Sequence, residues 1–415
     1  MAFYENNQNP ERAVLLGVDT GEYDCEVSLT ELEELSKTAG AETVCVVSQK
    51  LESPNPATYI GTGRLTEVKE FCENNAVDLL IADGELSPAQ QRNLERETHT
   101  RVIDRTTLIL DIFAQRARSR EGKIQVELAQ LQYALPRLAG QGKSLSRLGG
   151  GIGTRGPGET KLESDRRHIR RRIYALKEEL RQIEKRRNDR RTRRKKDGIT
   201  TVAIVGYTNA GKSTLLNTLT EAGVLAEDKL FATLDPTARK LTLPNGQSVM
   251  LVDTVGLVRR LPHHLVEAFK STLEEAKAAD LLLNVCDASD PSCAEHLEVT
   301  EHLLADLGCA YTPLITVMNK CDRVPALYDL PTVGSTVHIS AVTGEGIPAL
   351  LAAMENALQK TVTRATVCIP FAEGHLLAKI RENGQVLSEE YLPEGTKAEI
   401  VVDTAMLEQL RAYLL

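Results

Sequence analysis

The spacing of apolar positions changes character several times along this chain, and each change predicts a different kind of structure. Over residues 12–117, short apolar runs alternate with helical patterns. Residues 12–18, 43–47, 77–82 and 101–104 read as strands. Residues 28–38, 65–74 and 106–117 read as helices, with Ser28 as the cap of the first. Ser87-Pro88 opens another helix, with proline at its favoured first position. Such alternation predicts a small parallel sheet with covering helices.

The period then becomes heptad-like. Ile124, Leu128, Leu131, Leu135 and Leu138 are spaced four and three apart, and Ile169, Ile173, Leu176, Leu180 and Ile183 repeat that spacing. Two apolar seams predict an antiparallel helical hairpin. Pro136 predicts a kink or a helix end, because it removes a helix hydrogen bond. The connector, residues 139–161, is rich in glycine and too poor in apolar side chains for a core. Strand-like runs return at 200–205, 248–252, 280–286 and 312–318. The tail alternates strand (366–369), helix (373–381), strand (398–402) and helix (405–413). The fold class expected is a multidomain α/β protein. Its parts are an N-terminal parallel α/β domain (1–117), a helical hairpin arm with a glycine-rich tip (118–197), a phosphate-loop G domain (198–360) and a small α+β module (361–415).

Composition fits this division. A chain of 415 residues is too long for one core. Its eight cysteines are scattered without a Cys-x-x-Cys pair, which favours free thiols in a reducing compartment over disulfides or zinc. There is no apolar signal core and no run of membrane-spanning length, so a cytoplasmic monomer is expected, at most transiently membrane-associated. The net charge of -8 does not advertise nucleic-acid binding by the whole chain. The charge is segregated, however. Arg166, Arg167, Arg170, Arg171 and a dense run of cations up to Lys196 are opposed only by Glu178, Glu179, Glu184 and Asp189. Charge runs are often solvated helix faces. This one lies on a predicted rigid arm beside a Gly/Arg loop, which favours salt-sensitive contact with RNA phosphates over a dimerising coiled coil. With aromatics at 4% and no tryptophan, base stacking is not the expected mode.

The chemistry concentrates at residues 200–257. A buried strand leads into Gly206, Tyr207, Thr208, Asn209, Ala210, Gly211, Lys212 and Ser213, the spacing G-x-x-x-x-G-K-[ST], and Thr214 follows as the helix begins. Backbone N–H groups and a helix N-terminus suit phosphate oxygens, Lys212 suits the β- and γ-phosphates, and Ser213 suits Mg²⁺. Asp253, Thr254, Val255 and Gly256 end a second apolar run; Asp253 can hold the Mg²⁺ shell and Gly256 can sense the γ-phosphate. Between them lie Phe231, Ala232 and Thr233; Thr233 is the expected switch ligand of Mg²⁺, with Thr237 as its rival. Asn319, Lys320 and Asp322 suit guanine, since the Asp322 carboxylate can accept both N1–H and N2–H, while Ser340 and Ala341 can offer a backbone N–H to O6. The catalytic candidates are Lys212, Thr233 and Gly256.

Leu257 stands where many GTPases place a water-orienting glutamine, so intrinsic turnover should be slow, on the order of 10⁻⁴ to 10⁻² s⁻¹. Asn209 either holds K⁺ near the phosphates or braces the loop. Arg259 and Arg260 are expected on a solvated face rather than as arginine fingers, and His263 and His264 as structural residues. Gly61-Thr-Gly63-Arg64 reads as a turn that caps a helix more than as an anion site.

Taken together, these motifs resemble the HflX family of translational GTPases, within the Obg-HflX superfamily. The most specific matches are Gly122-Lys-Ile-Gln-Val-Glu-Leu-Ala-Gln-Leu and the stretch from Gly150 through Thr154-Arg155-Gly156-Pro157-Gly158-Glu159 to Arg167. Leu257, where the family pattern has phenylalanine, keeps the apolar character. The resemblance implies a GTP/GDP-binding factor that docks on the large ribosomal subunit and the 70S ribosome, contacts 23S rRNA and is stimulated by ribosomes to hydrolyse GTP. It further implies splitting or recycling of stalled ribosomes under stress. Arg147, Gly149, Gly150, Gly151 and Arg155 at the tip, with Arg166, Arg167, Arg170 and Arg171, are then the RNA-binding candidates. Rival readings are a large-subunit assembly GTPase and a signalling GTPase whose hairpin docks protein.

Overall fold

The computed structural model describes residues 10–137, 157–196, 199–220, 230–231, 237–260, 275–309, 311–325, 330–331, 334–358 and 362–415. The chain forms two compact units, residues 1–181 with 259–268, and residues 182–258 with 269–415.

In the first unit, β1 (Glu11–Asp19), β2 (Ala41–Lys50), β3 (Leu79–Ala82) and β4 (Arg101–Asp104) form a parallel sheet in the order β2-β1-β3-β4. The helices between them are α1 (Cys25–Ala39), α2 (Thr62–Asn75) and α3 (Pro88–Thr98), and α4 (Arg105–Arg116) follows β4. Val14, Leu16, Leu80, Ala82 and Val102 form the core on one face with Leu65, Val68 and Leu94 from α2 and α3. Helix α3 begins as its sequence demands: Ser87 and Gln90 form a reciprocal capping box with Pro88 just inside. Helix α1 begins three residues before the expected cap. Asp24 accepts from the N–H groups of Glu26 and Val27, whereas Ser28 is buried and donates to Asp83 Oδ2 at 2.7 Å. An aspartate upstream of the apolar pattern thus displaced Ser28 from the capping role.

Two carboxylates at the strand ends organise the top of this sheet. Asp104 Oδ1 caps α4 through Thr107 N, and its Oδ2 accepts from Leu86 N and the Tyr133 hydroxyl. Asp83, fully buried, faces Arg105 at 2.8 Å and Arg260 at 2.7 Å. Burial of such a carboxylate is tolerable only with opposite charge and hydrogen bonds in place. The Arg260 guanidinium also lies 3.9 Å from the Tyr23 ring centroid. Arg260 is exposed, as expected, but its guanidinium is drawn onto a buried acid distant in sequence, which the sequence did not predict. Arg259 is half-buried, and its carbonyl accepts from Arg105.

Helix α5 (Arg120–Arg137) carries Pro136 inside it, next to its last described residue. Helix α6 (Pro157–Lys196) runs antiparallel to it. Arg120 pairs with Glu179 and Arg172 with Glu127, so seven residues forward in one helix is seven back in the other. Of the seam residues, Ile124, Leu128 and Leu176 are buried.

In the second unit, β5 (Thr200–Gly206), β6 (Thr237–Thr242), β7 (Ser248–Asp253), β8 (Leu281–Asp287), β9 (Leu314–Asn319) and β10 (Ser335–His338) take the order β10-β9-β8-β5-β7-β6. All neighbours are parallel except β6, which runs antiparallel to β7. Helices α7 (Lys212–Thr220), α8 (Cys293–Asp306) and α9 (Ile347–Leu358) cover the sheet. Val202, Ile204, Leu251, Leu283 and Val317 form one apolar face with Leu215, Leu216, Leu350 and Met354. The tail forms a three-stranded antiparallel sheet, order β11-β13-β12, from β11 (Val362–Ile369), β12 (Gln385–Leu392) and β13 (Gly395–Asp403). It packs on α10 (Gly374–Asn383) and α11 (Thr404–Gln409) through Val367, Ile369, Ile380, Ile400 and Met406.

Candidate nucleotide site

The site lies at the carboxyl ends of the parallel strands, where ligands bind in open α/β sheets. Strand β5 delivers Gly206 at φ 143, and a Cβ there would sit 2.1 Å from the Val285 carbonyl oxygen. Gly211, at φ 90, would place a Cβ 2.3 Å from Asn319 Nδ2. Both positions need glycine: the first to turn against β8, the second to admit the base loop. Between them Tyr207, Thr208 and Ala210 are buried and Asn209 is half-buried at φ 60. Leu257 closes the loop from behind. Thr208 N donates to Leu257 O at 2.8 Å, and Leu257 N to Gly206 O at 3.1 Å.

Lys212 is buried at the start of α7, with its Nζ donating to Tyr207 O at 2.6 Å and Gly206 O at 3.1 Å. Burial lowers its pKa from 10.5 to about 8, against the pull of the Asp253 carboxylate. The ammonium is thus held on two loop carbonyls, and a neighbouring anion would restore its charge. Next to it, Ser213 Oγ donates to Asp253 Oδ2 at 2.8 Å. A hydroxyl and a carboxylate in contact form a hard oxygen pair suited to Mg²⁺. The residues fit the ion, which when bound neutralises developing phosphate charge. Thr214 continues α7 half-buried. Thr254 anchors the end of β7 by donating from Oγ1 to Ile204 O at 2.8 Å, and Val255 is buried beside it. At Gly256 an added Cβ would lie 3.1 Å from Lys212 Nζ, so this glycine and the lysine converge.

The base loop is tied to both neighbours by one buried side chain. Asn319 donates from Nδ2 to Ala210 O at 2.9 Å and accepts at Oδ1 from Ala341 N at 2.9 Å. The geometry of Asn319 is that of a tie between the two loops. Asp322 is exposed on a short 3₁₀ turn, Cys321–Arg323, with its carboxylate open to a base. Ser340 is buried, and its N–H donates to Glu345 O at 3.0 Å. Phe231 is buried at φ 54, and Thr237 starts β6 directly opposite Asp253. Ala232 and Thr233 lie outside the described residues, as do Arg147, Gly149, Gly150, Gly151, Arg155, His263 and His264. Among the other RNA candidates, Arg167, Arg170 and Arg171 are exposed on α6, and Arg166 is half-buried. Arg187, farther along the helix, lies 4.0 Å from the nearly buried Glu275.

Two residues beside the site belong to no motif. Asp287 ends β8 and pairs with Lys320 at 2.7 Å; its position at the end of a buried, mostly apolar strand was the available signal. His296 on α8 stacks on Tyr207, a contact without sequence signature.

A parallel sheet feeding a phosphate loop, a serine–aspartate metal pair and a guanine-type base loop defines a phosphate-loop GTPase. Four family models match in order: "GTP-binding GTPase N-terminal" over 26–114, "GTP-binding GTPase Middle Region" over 116–194, "50S ribosome-binding GTPase" over 201–320 and "HflX C-terminal domain" over 331–408. The chain is 52% identical to GTPase HflX of Caldanaerobacter subterraneus subsp. tengcongensis, over 98% of this chain and 95% of that protein. It is 43% identical to GTPase HflX of Escherichia coli K12, over 97% and 95% respectively. It therefore belongs to the HflX family of GTPases and is a GTP hydrolase. A solved GDP complex of a GTP-binding protein from Sulfolobus solfataricus is 27% identical, covering 84% of this chain and 99% of that one, with a TM-score of 0.45. Among the described residues no helix is long and apolar enough to cross a membrane.

Proposed function

We propose that this GTPase binds the large ribosomal subunit and the 70S ribosome, and that its GTP form splits stalled ribosomes, with hydrolysis releasing the factor. The observation that carries the reading is the face of α6 on which Arg167, Arg170 and Arg171 stay exposed, in a chain of net charge -8. Cations held on a stiff helix, with no ion-pair partner among the described residues, suit a polyanionic surface. In this reading Lys212, Ser213, Thr233, Asp253 and Gly256 hold Mg²⁺ and the phosphates, Asp322 reads guanine, Asn319 ties the base loop to the phosphate loop, and Lys320, Ser340 and Ala341 line the base site, the Ser340 and Ala341 N–H groups being engaged with Glu345 O and Asn319 Oδ1. GTP drives splitting only if the GTP form binds separated subunits more tightly than the GDP form does.

Leu257, apolar and buried, cannot orient the attacking water. The site therefore relies on the ribosome, and on a monovalent cation at Asn209, whose left-handed backbone turns it out of the loop core. Sucrose gradients of 70S particles with GTP, a non-hydrolysable analogue or GDP test the splitting. The 70S peak should fall with the first two and persist with GDP. Unchanged peaks in all three refute it, and accumulation on immature subunits alone would favour the assembly role. Ribosome-stimulated turnover in K⁺ against Na⁺ tests the cation.

A further inference from the structure

The segment that joins β8 to α8 touches both loops of the nucleotide site from behind. On the phosphate side, the His296 ring lies face to face with Tyr207, centroids 3.8 Å apart and planes 12° from parallel. Tyr207 is the residue whose carbonyl holds Lys212 Nζ at 2.6 Å, so the stack fixes a backbone atom that aims the lysine. The imidazole is itself oriented: its Nδ1 is 3.7 Å from Asp290 Oδ2, and Asp290 Oδ1 accepts from Ser292 N at 2.8 Å at the head of α8. On the base side, Asp287 Oδ2 holds Lys320 Nζ at 2.7 Å, with the two side chains only 18% and 15% exposed. That is too enclosed for the solvent screening that weakens surface ion pairs. Asp287 Oδ1 is locked by Ser289 N at 2.9 Å and Ser289 Oγ at 2.6 Å. Ala288 N donates to Asn319 O at 2.8 Å. Lys320 has φ 62, a left-handed conformation that a lysine adopts only when its surroundings impose it. Beneath the segment, Cys286, Cys293, Leu297 and Met318 pack into one buried cluster.

We propose that Asp287 and His296 are positioning residues that make the β8–α8 segment a brace, holding the phosphate loop and the base loop at a fixed separation and thereby setting how long nucleotide stays bound. Neither residue belongs to a nucleotide-binding motif. The brace acts from behind, so it changes the rate at which the loops relax and let nucleotide go more than the rate of encounter.

The experiment is the rate of fluorescent GDP release from the full-length protein, read beside its melting temperature. His296→Ala removes an aromatic stack and should speed release about three- to tenfold. His296→Phe, which keeps the stack without the imidazole nitrogens, should return it to within about twofold of the parent. Asp287→Asn frees the Lys320 head and should speed release by a similar about three- to tenfold. Because both act through one segment, the double variant should fall short of the product of the single effects. If His296→Ala fails to fold, His296→Leu, which keeps bulk but offers no ring face, should show faster release at an unchanged melting temperature. Release within twofold of the parent in the alanine or leucine variant overturns the proposal. So does failure of phenylalanine to rescue. Fully multiplicative effects would make the two residues separate anchors and overturn the brace.

Discussion

Lys212 sits buried on two backbone carbonyls, while Arg167, Arg170 and Arg171 stand in solvent on α6. Both sets of cations are assigned here to phosphate, yet the fold treats them oppositely. The buried ammonium is preorganised and desolvated, so its affinity should resist salt and respond to pH. The guanidiniums keep their charge at any working pH and act through counterion release, so theirs should resist pH and respond to salt. The helix pair shows what idle arginines do instead: Arg172 of α6 folds onto Glu127, and Arg120 of α5 onto Glu179.

The comparison breaks most cleanly at Lys212. Lys212→Ala should weaken GTP binding on the order of a thousandfold, by removing a desolvated charge-assisted contact, and leave ribosome co-sedimentation at low salt largely in place. Equilibrium titration with a fluorescent nucleotide measures the first, pelleting through sucrose the second. Asp322→Asn should shift preference from GTP to XTP on the order of a hundredfold, since two hydrogen bonds to a charged acceptor change sign. A retained preference in competition binding would mean that base recognition lies elsewhere. Replacing Arg167, Arg170 and Arg171 with alanine should weaken ribosome binding about tenfold or more at moderate salt. It should also reduce the slope of log affinity against log salt by about two to three, with GTP affinity unchanged. The pH arm sharpens the contrast. Lys212 has a pKa of about 8 before nucleotide binds, and neighbouring phosphates raise it again. Binding therefore takes up a proton above that pH. Affinity should be level below about pH 8 and fall above it, approaching tenfold per unit, with the arginine-dependent step unaffected. The smallest effect belongs to the paired arginines. Arg172→Ala should leave thermal unfolding essentially unchanged, because both it and its partner Glu127 are exposed.

The GTPase core was legible because its chemistry needs particular residues in sequence order: a glycine loop, Lys212-Ser213, Asp253, Asn319 to Asp322. Each follows an apolar strand that announces itself. The hairpin was legible for a similar reason, two seams of equal spacing. Contacts made across long sequence distances left no such trace. Nothing local marks Arg260 as the partner of Asp83, and its surroundings, two arginines and a charged loop, read as a solvated face. Ser28 looked like a helix cap because the apolar pattern begins after it, yet Asp24 supplied the better acceptor. Strand β12 was missed because Val386 and Leu387 are adjacent and the following residues are polar. A half-exposed edge strand needs no alternation. The stack of His296 on Tyr207 depends on where α8 lands on the sheet, which a one-dimensional pattern does not encode.

Strand β6 begins with Thr237 in register with Asp253, the residue assigned to the metal. Thr237, the rival switch residue, and Asp253 therefore share one antiparallel ladder, so a change that frays the start of β6 would disturb the carboxylate together with the threonine.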